Sequence, residues 1–153
     1  MSRAFVKELE DGVEELPERP ISPHPNLVTA EGLAHIEAEV TRLQQEHAAA
    51  HAANDRTALS RAARDLRYWT ARRATAQPVA APSDRSKVHF GSTVTIVRND
   101  GRRQTFRVVG EDEADPARGT LSHASPLARA PFGKELGDTV KVAQSEAEIV
   151  EIA

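Results

Sequence analysis

The sequence has no cysteine and few aromatic residues, which make up only 4% of its 153 residues. Without cysteine there is neither a disulfide framework nor a cysteine nucleophile, and a reducing compartment suits the chain. No apolar run is long enough to span a bilayer. Met1–Lys7 lacks the apolar core of a signal peptide. These absences predict a cytoplasmic protein without a membrane partner.

An excess of positive charge is also missing, since the net charge is -3 and the sequence pI is about 6.1. A dedicated nucleic-acid binder is normally strongly basic. There is no Gly-rich phosphate loop and no Ser/His/Asp arrangement, so neither an enzyme nor a small-molecule substrate is predicted. His47 and His51 have a spacing that can bind zinc, but no further ligand follows the pattern. We expect no catalytic residue, no metal site and no cofactor of its own.

The most regular pattern lies between residues 29 and 77. Apolar or small residues recur in alternating steps of three and four, which is typical of a coiled-coil seam. Thr29 is placed to cap the first arm, and the polar break Asn54–Thr57 separates it from the second. An antiparallel helical coiled-coil hairpin is therefore predicted for residues 29–77. The seam positions are Leu33, Ile36, Val40, Leu43, His47 and Ala50, then Leu59, Ala62 or Ala63, Leu66, Trp69 and Ala76.

Charge divides the two arms, because the first is acidic and the second basic. Opposite charges favour pairing between the arms, although each exposed pair contributes well under ~1 kcal/mol. The second arm has six arginines and the first arm four glutamates, so some of the positive charge of the second arm has no glutamate to pair with. The residues concerned are Glu31, Glu37, Glu39 and Glu46 in the first arm and Arg56, Arg61, Arg64, Arg67, Arg72 and Arg73 in the second.

Residues 1–28 form an acidic, proline-containing leader, which is predicted to be a flexible N-terminal tail. Prolines 17, 20, 23 and 25 disfavour a regular helix. A second interpretation stays open, in which the leader lies along the hairpin with Phe5 and Val6 docked on apolar surface.

After a proline-containing linker at residues 78–86, the pattern changes to the alternation of strands. The turn Asn99–Gly101 between two alternating runs predicts a β-hairpin. Ser125 as N-cap and Pro126 at the first helical position predict a short helix. Two more strands follow it. Residues 87–153 are thus predicted to form a small, mostly antiparallel sheet with one short helix, which makes the chain α+β.

Several motifs of this sequence resemble the GreA/GreB transcription elongation factors, over about residues 27–153. The resemblance implies an N-terminal coiled coil, an FKBP-like C-terminal domain, and binding to bacterial RNA polymerase at its secondary channel. Nucleic acid would be contacted only indirectly, through the polymerase complex. The motifs are residues 27–32 (LVTAEG), 90–94 (FGSTV), 106–110 (FRVVG), 125–130 (SPLARA) and 133–138 (GKELGD).

In that family the coiled-coil tip carries an Asp-x-Ser-Glu-Asn motif, whose carboxylates help to hold a second magnesium in the polymerase's own active site. Here Asp55 matches the Asp and Thr57 the Ser, but Ala58 and Leu59 replace the Glu and Asn. The arms are also shorter than the family's, which places the tip ~12–15 Å short. Asp55 and Arg56 are candidate partner-binding residues, and Asp55 is a weak metal candidate. Any contact with polymerase magnesium would be indirect, and Asp55 has the alternative role of a turn or cap residue.

The family's docking loop reads Asp-Ser-Pro, and here Ala124 replaces the Asp. Ser125, Pro126 and Arg129 are the remaining candidate contacts of this loop, although a cap, a first helical residue and a solvated charge would also explain them. We predict a Gre-like regulator of transcription elongation that binds RNA polymerase without stimulating transcript cleavage. Two alternatives remain open: an interaction protein like the regulator of nucleoside diphosphate kinase, and a cleavage-competent GreA/GreB factor. Peptidyl-prolyl isomerase activity is disfavoured, because residues 87–153 contain no tyrosine or tryptophan.

Overall fold

The computed structural model describes residues 16–153, which form two compact units. The helical unit contains the described residues 16–22 and Ile36–Ala74, and the sheet unit contains Pro23–His35 and Thr75–Ala153. The sequence-based division placed the whole hairpin, residues 29–77, in one domain. In the structure the start of the first long helix and the exit from the second belong with the sheet unit. The predicted docking of Phe5 and Val6 lies outside the described residues.

Two long helices form the predicted hairpin: α1 spans Ala30–Ala52 and α2 spans Arg56–Thr75. Six of the eleven predicted seam positions are buried, while Leu33, His47, Leu59, Leu66 and Ala76 are half-buried. The periodic pattern thus identified the contact face, since residues three and four apart share one side of a helix. The buried seam residues are Ile36, Val40, Leu43, Ala50, Ala62 and Trp69.

Arg72 is an exception to the pattern, because its side chain is only 2% exposed. The sequence analysis counted it among the surface charges of the basic arm. A long side chain can bury its methylene stem along apolar neighbours, and Arg72 is among the largest fully buried side chains described.

Two glutamates of the acidic arm pair with an arginine of their own helix. Arg42 binds Glu39 through Nη2 at 2.5 Å and Glu46 through Nη1 at 2.6 Å, and all three residues lie on α1. These (i, i+3) and (i, i+4) pairs take up two of the four glutamates that were expected to face α2. On α2, Arg67 instead binds Glu18, which precedes the hairpin.

The base of the hairpin is a pair of two-residue strands, β1 (Leu27–Val28) and β2 (Gln77–Pro78), which run parallel. Asn26 is buried next to this pair and donates from Nδ2 to Thr75 Oγ1 at 3.1 Å. Leu27 and Val79 pack against the core of the sheet unit. The chain therefore enters α1 and leaves α2 at one place in the sheet unit.

The main sheet has five strands, which are β3 (Thr93–Arg98), β4 (Arg103–Val109), β5 (Thr120–Ser122), β6 (Thr139–Val142) and β7 (Ser145–Ile152). Their order in the sheet is β5-β4-β3-β7-β6. All neighbours are antiparallel except β4 and β5, which run parallel. The β3–β4 hairpin turns through Gly101, whose φ of 85° lies in the left-handed region that glycine tolerates.

One face of this sheet forms a continuous apolar core with the short helix α3, Pro126–Arg129. Ala128 of α3 is fully buried in it. The alternation predicted for the strands is therefore present, and the α+β class is confirmed. The core residues are Val88, Phe90, Val94, Ile96, Phe106, Val108, Ala128, Val140, Val142, Ala147, Ile149 and Ile152.

A carboxylate from the β4–β5 connection fixes the start of α1. Glu113 accepts from the Thr29 amide at 3.0 Å, from the Thr29 hydroxyl, and from the Gly110 amide at 3.2 Å. Thr29 Oγ1 in turn accepts from the Gly32 amide at 3.0 Å, which confirms Thr29 as the helix N-cap. A Cβ added to Gly32 would lie 2.0 Å from the Glu113 carboxylate. We call Thr29, Gly110 and Glu113 the carboxylate latch.

Within residues 16–153, no helix combines the length and the apolar character that crossing a bilayer requires.

Candidate functional site

The tip of the hairpin is the first place where candidate partner-binding residues lie. Asn54 ends α1 in the left-handed conformation, with φ at 52°. Its amide donates to His51 O at 3.2 Å and the Asp55 amide to Ala50 O at 3.0 Å, which together make a Schellman motif. Asp55 Oδ1 then accepts from the Ala58 amide at 3.0 Å and caps α2. Asp55 therefore closes one helix and starts the next.

The chemistry of the tip follows from this double role. One oxygen of the Asp55 carboxylate is used by the cap, while Asp55 and Arg56 are both exposed. Ala58 and Leu59 stand where the Asp-x-Ser-Glu-Asn motif has its Glu and Asn. Both side chains are uncharged and half-buried. Across residues 16–153 we find no cluster of three or more His, Asp or Glu side chains placed to hold a metal ion. The tip thus carries an exposed carboxylate, one oxygen of which caps α2, next to an exposed arginine.

The loop before α3 is the second place. Ser125 donates from its hydroxyl to Ser122 O at 2.7 Å and accepts from the Ala128 amide at 3.4 Å, so it caps α3 as predicted. Pro126 occupies the first turn, where its missing N–H costs nothing. Ser125 is half-buried and serves the fold, whereas Pro126 and Arg129 are exposed.

Two exposed apolar residues follow α3, and the sequence analysis did not select them. Phe132 is 51% exposed and Leu136 is 61% exposed. Their neighbour Pro131 is buried, and Gly133 has a φ of 76°. The available signal was their position in a Pro- and Gly-flanked loop, since loops lie at the surface and often carry function. Pro126, Arg129, Phe132 and Leu136 are called the α3 surface below.

The structure does not gather the five predicted contacts into one cluster within either unit. Asp55 and Arg56 belong to the helical unit, and Ser125, Pro126 and Arg129 belong to the sheet unit. Their role as partner-binding residues stays a prediction.

Comparison with known families supports an assignment. Residues 82–153 match the family described as transcription elongation factor, GreA/GreB, C-term. Over 145 residues the chain is 34% identical to transcription elongation factor GreA of Legionella pneumophila (strain Lens), and the match covers 80% of this chain and 88% of that protein.

A shorter match has a higher identity. Over 59 residues the chain is 56% identical to transcription elongation factor GreA of Hyphomonas neptunium, and the match covers 38% of this chain and 38% of that protein. The chain thus matches well under half the length of this relative.

A solved structure gives a weaker comparison. The crystal structure of GreA factor homolog 1 (Gfh1) protein of Thermus thermophilus is 18% identical, with coverage of 85% of this chain and 99% of that chain. The TM-score is 0.40, too low to define a shared fold.

The sequence matches place the chain in a class, the bacterial elongation-factor proteins. The chain belongs to the GreA/GreB family of transcription elongation factors.

Proposed function

We propose that this protein is a Gre-like regulator of transcription elongation that binds bacterial RNA polymerase at its secondary channel without stimulating transcript cleavage. The observation that carries the proposal is the 34% identity along 88% of a GreA elongation factor. The protein would act in the cytoplasm as a non-catalytic factor with no cofactor of its own, and would meet nucleic acid only within the polymerase complex.

The α3 surface supports docking through the sheet unit. Half-exposed apolar side chains beside an exposed arginine are typical of protein-binding patches, where aromatic residues and arginine contribute most of the binding energy. Phe132 and Arg129 provide both kinds of side chain within four positions.

The tip supports the absence of cleavage activity. A hard cation such as magnesium prefers several oxygen ligands. Asp55 gives one oxygen to the helix cap, and Ala58 and Leu59 offer none from their side chains. Any contact of Asp55 with the polymerase's magnesium would therefore be indirect.

Binding is tested with purified core RNA polymerase at modest ionic strength. We expect the full chain to be retained by immobilised polymerase, and Phe132→Ser with Arg129→Ala to weaken retention at least tenfold. Asn99→Ser, in the exposed β3–β4 turn, is the matched control and should bind like the wild type. Failure of the folded wild-type chain to bind would overturn the proposal. Capture of nucleoside diphosphate kinase instead would favour the alternative interaction protein.

Cleavage is tested separately on stalled, backtracked elongation complexes. We expect no shortening of the transcript when the protein is bound at saturation. Transcript shortening that disappears in Asp55→Asn would identify a cleavage-competent factor and refute the non-cleaving half of the proposal. Asparagine can still cap α2, so this variant removes the charge and keeps the helix start.

A further inference from the structure

A short segment ahead of the hairpin lies against α2, and both belong to the helical unit. We call residues 16–19 the strap. Both carboxylate oxygens of Glu18 accept from Arg67 Nε at 3.0 Å, and a further bond from Arg67 Nη2 to Glu18 Oε1 completes a forked contact. These hydrogen bonds lower the pKa of Glu18 and raise the pKa of Arg67. Such two-pronged geometry makes an arginine–carboxylate pair specific as well as attractive.

The next residue of the strap adds a second kind of contact. The Arg19 guanidinium lies 4.0 Å from the centre of the Tyr68 ring and 5.8 Å from that of Trp69, within reach of cation–π attraction. Arg19 Nη1 is also 3.5 Å from Asp65 Oδ1. Two consecutive strap residues of opposite charge are therefore each matched by a complementary group on α2.

Prolines give the strap the form of a peptide ligand. Pro17 and Pro20 flank the Glu18–Arg19 pair, and residues 16–20 belong to no helix or strand. A proline fixes its own φ and biases the residue before it towards an extended conformation. Extended proline-containing segments lose little conformational entropy on docking, which is why many recognition sites bind them.

The strap nevertheless fits α2 incompletely. The side chains of the forked pair stay well exposed, at 62% for Glu18 and 56% for Arg67. A cavity of about 440 Å³ remains beside the pair, with Leu16, Pro17, Glu18, Ser60, Ala63 and Arg67 as its lining. Exposed ion pairs contribute little to stability, and empty space forfeits packing contacts. The strap is thus held in a specific but weak way, as a displaceable occupant must be.

We propose that the face of α2 at Ser60, Ala63, Arg67 and Tyr68 is a recognition site for an extended, proline-containing peptide with a Glu–Arg pair. The strap occupies this site as a built-in pseudo-ligand. A partner protein with a segment of the same chemistry, and a larger apolar side chain at the position of Pro17, fills the cavity and displaces the strap. The proposal does not depend on polymerase binding.

The covalent tether keeps the site closed in the isolated chain. A tethered segment has a roughly millimolar effective concentration at its own site, so a free peptide at lower concentration competes poorly. Only the fraction of molecules with an open site can bind the free peptide. Weakening the strap must therefore raise the apparent affinity for that peptide.

Fluorescence anisotropy tests this prediction with the full chain and a dye-labelled synthetic peptide of residues 16–22. We expect Glu18→Gln with Arg19→Ala to bind the peptide at least tenfold more tightly than the wild type. Each single variant should give an intermediate gain, with unchanged helix content by circular dichroism, which separates strap opening from loss of fold. In the double variant, Arg67→Ala should abolish binding. Arg61→Ala, an exposed arginine on the same helix, is the matched control and should retain it.

Four results would overturn the proposal. Absence of binding to every variant would show that this face is not a peptide site, and equal affinity of wild type and double variant would show that the strap does not occupy it. Binding that survives Arg67→Ala, or a glutamine in place of Glu18 in the peptide, would place the peptide elsewhere. A wild-type dimer in sedimentation equilibrium that dissociates in Glu18→Gln would show that a second copy's strap fills the site.

Discussion

The helical unit and the sheet unit are stabilised in different ways. The sheet unit buries one continuous apolar core that its strands share with α3. The helical unit buries a narrow seam, and most of its helix surface carries charged residues and small alanines. Specific polar contacts, such as the hydrogen bond from Arg67 to Glu18 and the cap at Asp55, supplement this seam.

This difference indicates how the two units tolerate change. A continuous core transmits a lost side chain to many neighbours, because protein interiors are closely packed. A two-helix seam is shallower, and its exposed faces are available for partners. We expect substitutions to lower the free energy of unfolding more in the sheet unit, the stable anchor, than in the helical unit.

The largest expected effect comes from truncating one core residue in each unit. Phe106→Ala in the sheet core should lower the free energy of unfolding by about 3–5 kcal/mol, and Leu43→Ala in the seam by about 2–5 kcal/mol. Both side chains are almost fully buried, at 2% and 1% exposure. Denaturant unfolding measures both, with strand amides reporting on one unit and Trp69 fluorescence on the other.

The exposed Leu136→Ala is the control for this pair, with an expected change below about 0.5 kcal/mol. If Leu43→Ala proved more damaging than Phe106→Ala, the anchor would be the helical unit and the comparison would be reversed.

A smaller loss of stability is expected from a change in the carboxylate latch, which tests how a polar contact stabilises the start of α1. Glu113→Gln replaces one carboxylate oxygen by an NH₂ group, which cannot accept a hydrogen bond. At least one of the donors on Thr29 and Gly110 then loses its carboxylate acceptor. A loss of about 1–3 kcal/mol in the free energy of unfolding is expected. Amide exchange at Thr29 and Gly110 should also accelerate. Glu148→Gln, an exposed carboxylate on β7, should leave both measurements unchanged; equal behaviour of the two variants would show that the latch is not needed.

The smallest effect concerns pH. Hydrogen bonds from the hydroxyl and amide of Ser86, and then from His89, lower the pKa of Asp84 from 3.8 to about 2. Because the folded-state pKa is the lower one, the stabilisation is present above pH 3.8 and is lost as pH falls towards 2. A carboxyl titration by NMR should give a midpoint near 2 in the wild type. The midpoint should rise in Ser86→Ala, and a wild-type value of 3.8 would contradict the contacts.

Local turn and cap chemistry made several elements predictable from sequence. The Asn99–Gly101 turn and the Ser125–Pro126 helix start each depend on residues within a few positions of one another. Such short-range signals carry their own physical cause. The periodicity of α1 and α2 was predictable for the same reason, since a helix face is a local pattern.

Other features depend on contacts that sequence spacing does not reveal. Glu113 reaches Thr29 across 84 positions, and it lies in a connection that looked merely acidic and irregular. Arg72 resembled its exposed neighbours in composition, yet the packing of α2 buries it. The exposure of Phe132 was hidden by the general tendency of phenylalanine to be buried. Tertiary packing decided each of these cases.

The parallel pair of β1 and β2 has a consequence for evolution. The two strands lie side by side where the chain enters α1 and leaves α2. Inserting seven residues into each helix would therefore lengthen both helices by about 10 Å and keep the seam residues on the same helix face. The strands would need no adjustment. Insertions and deletions can therefore change the length of the helical hairpin while the sheet unit stays the same.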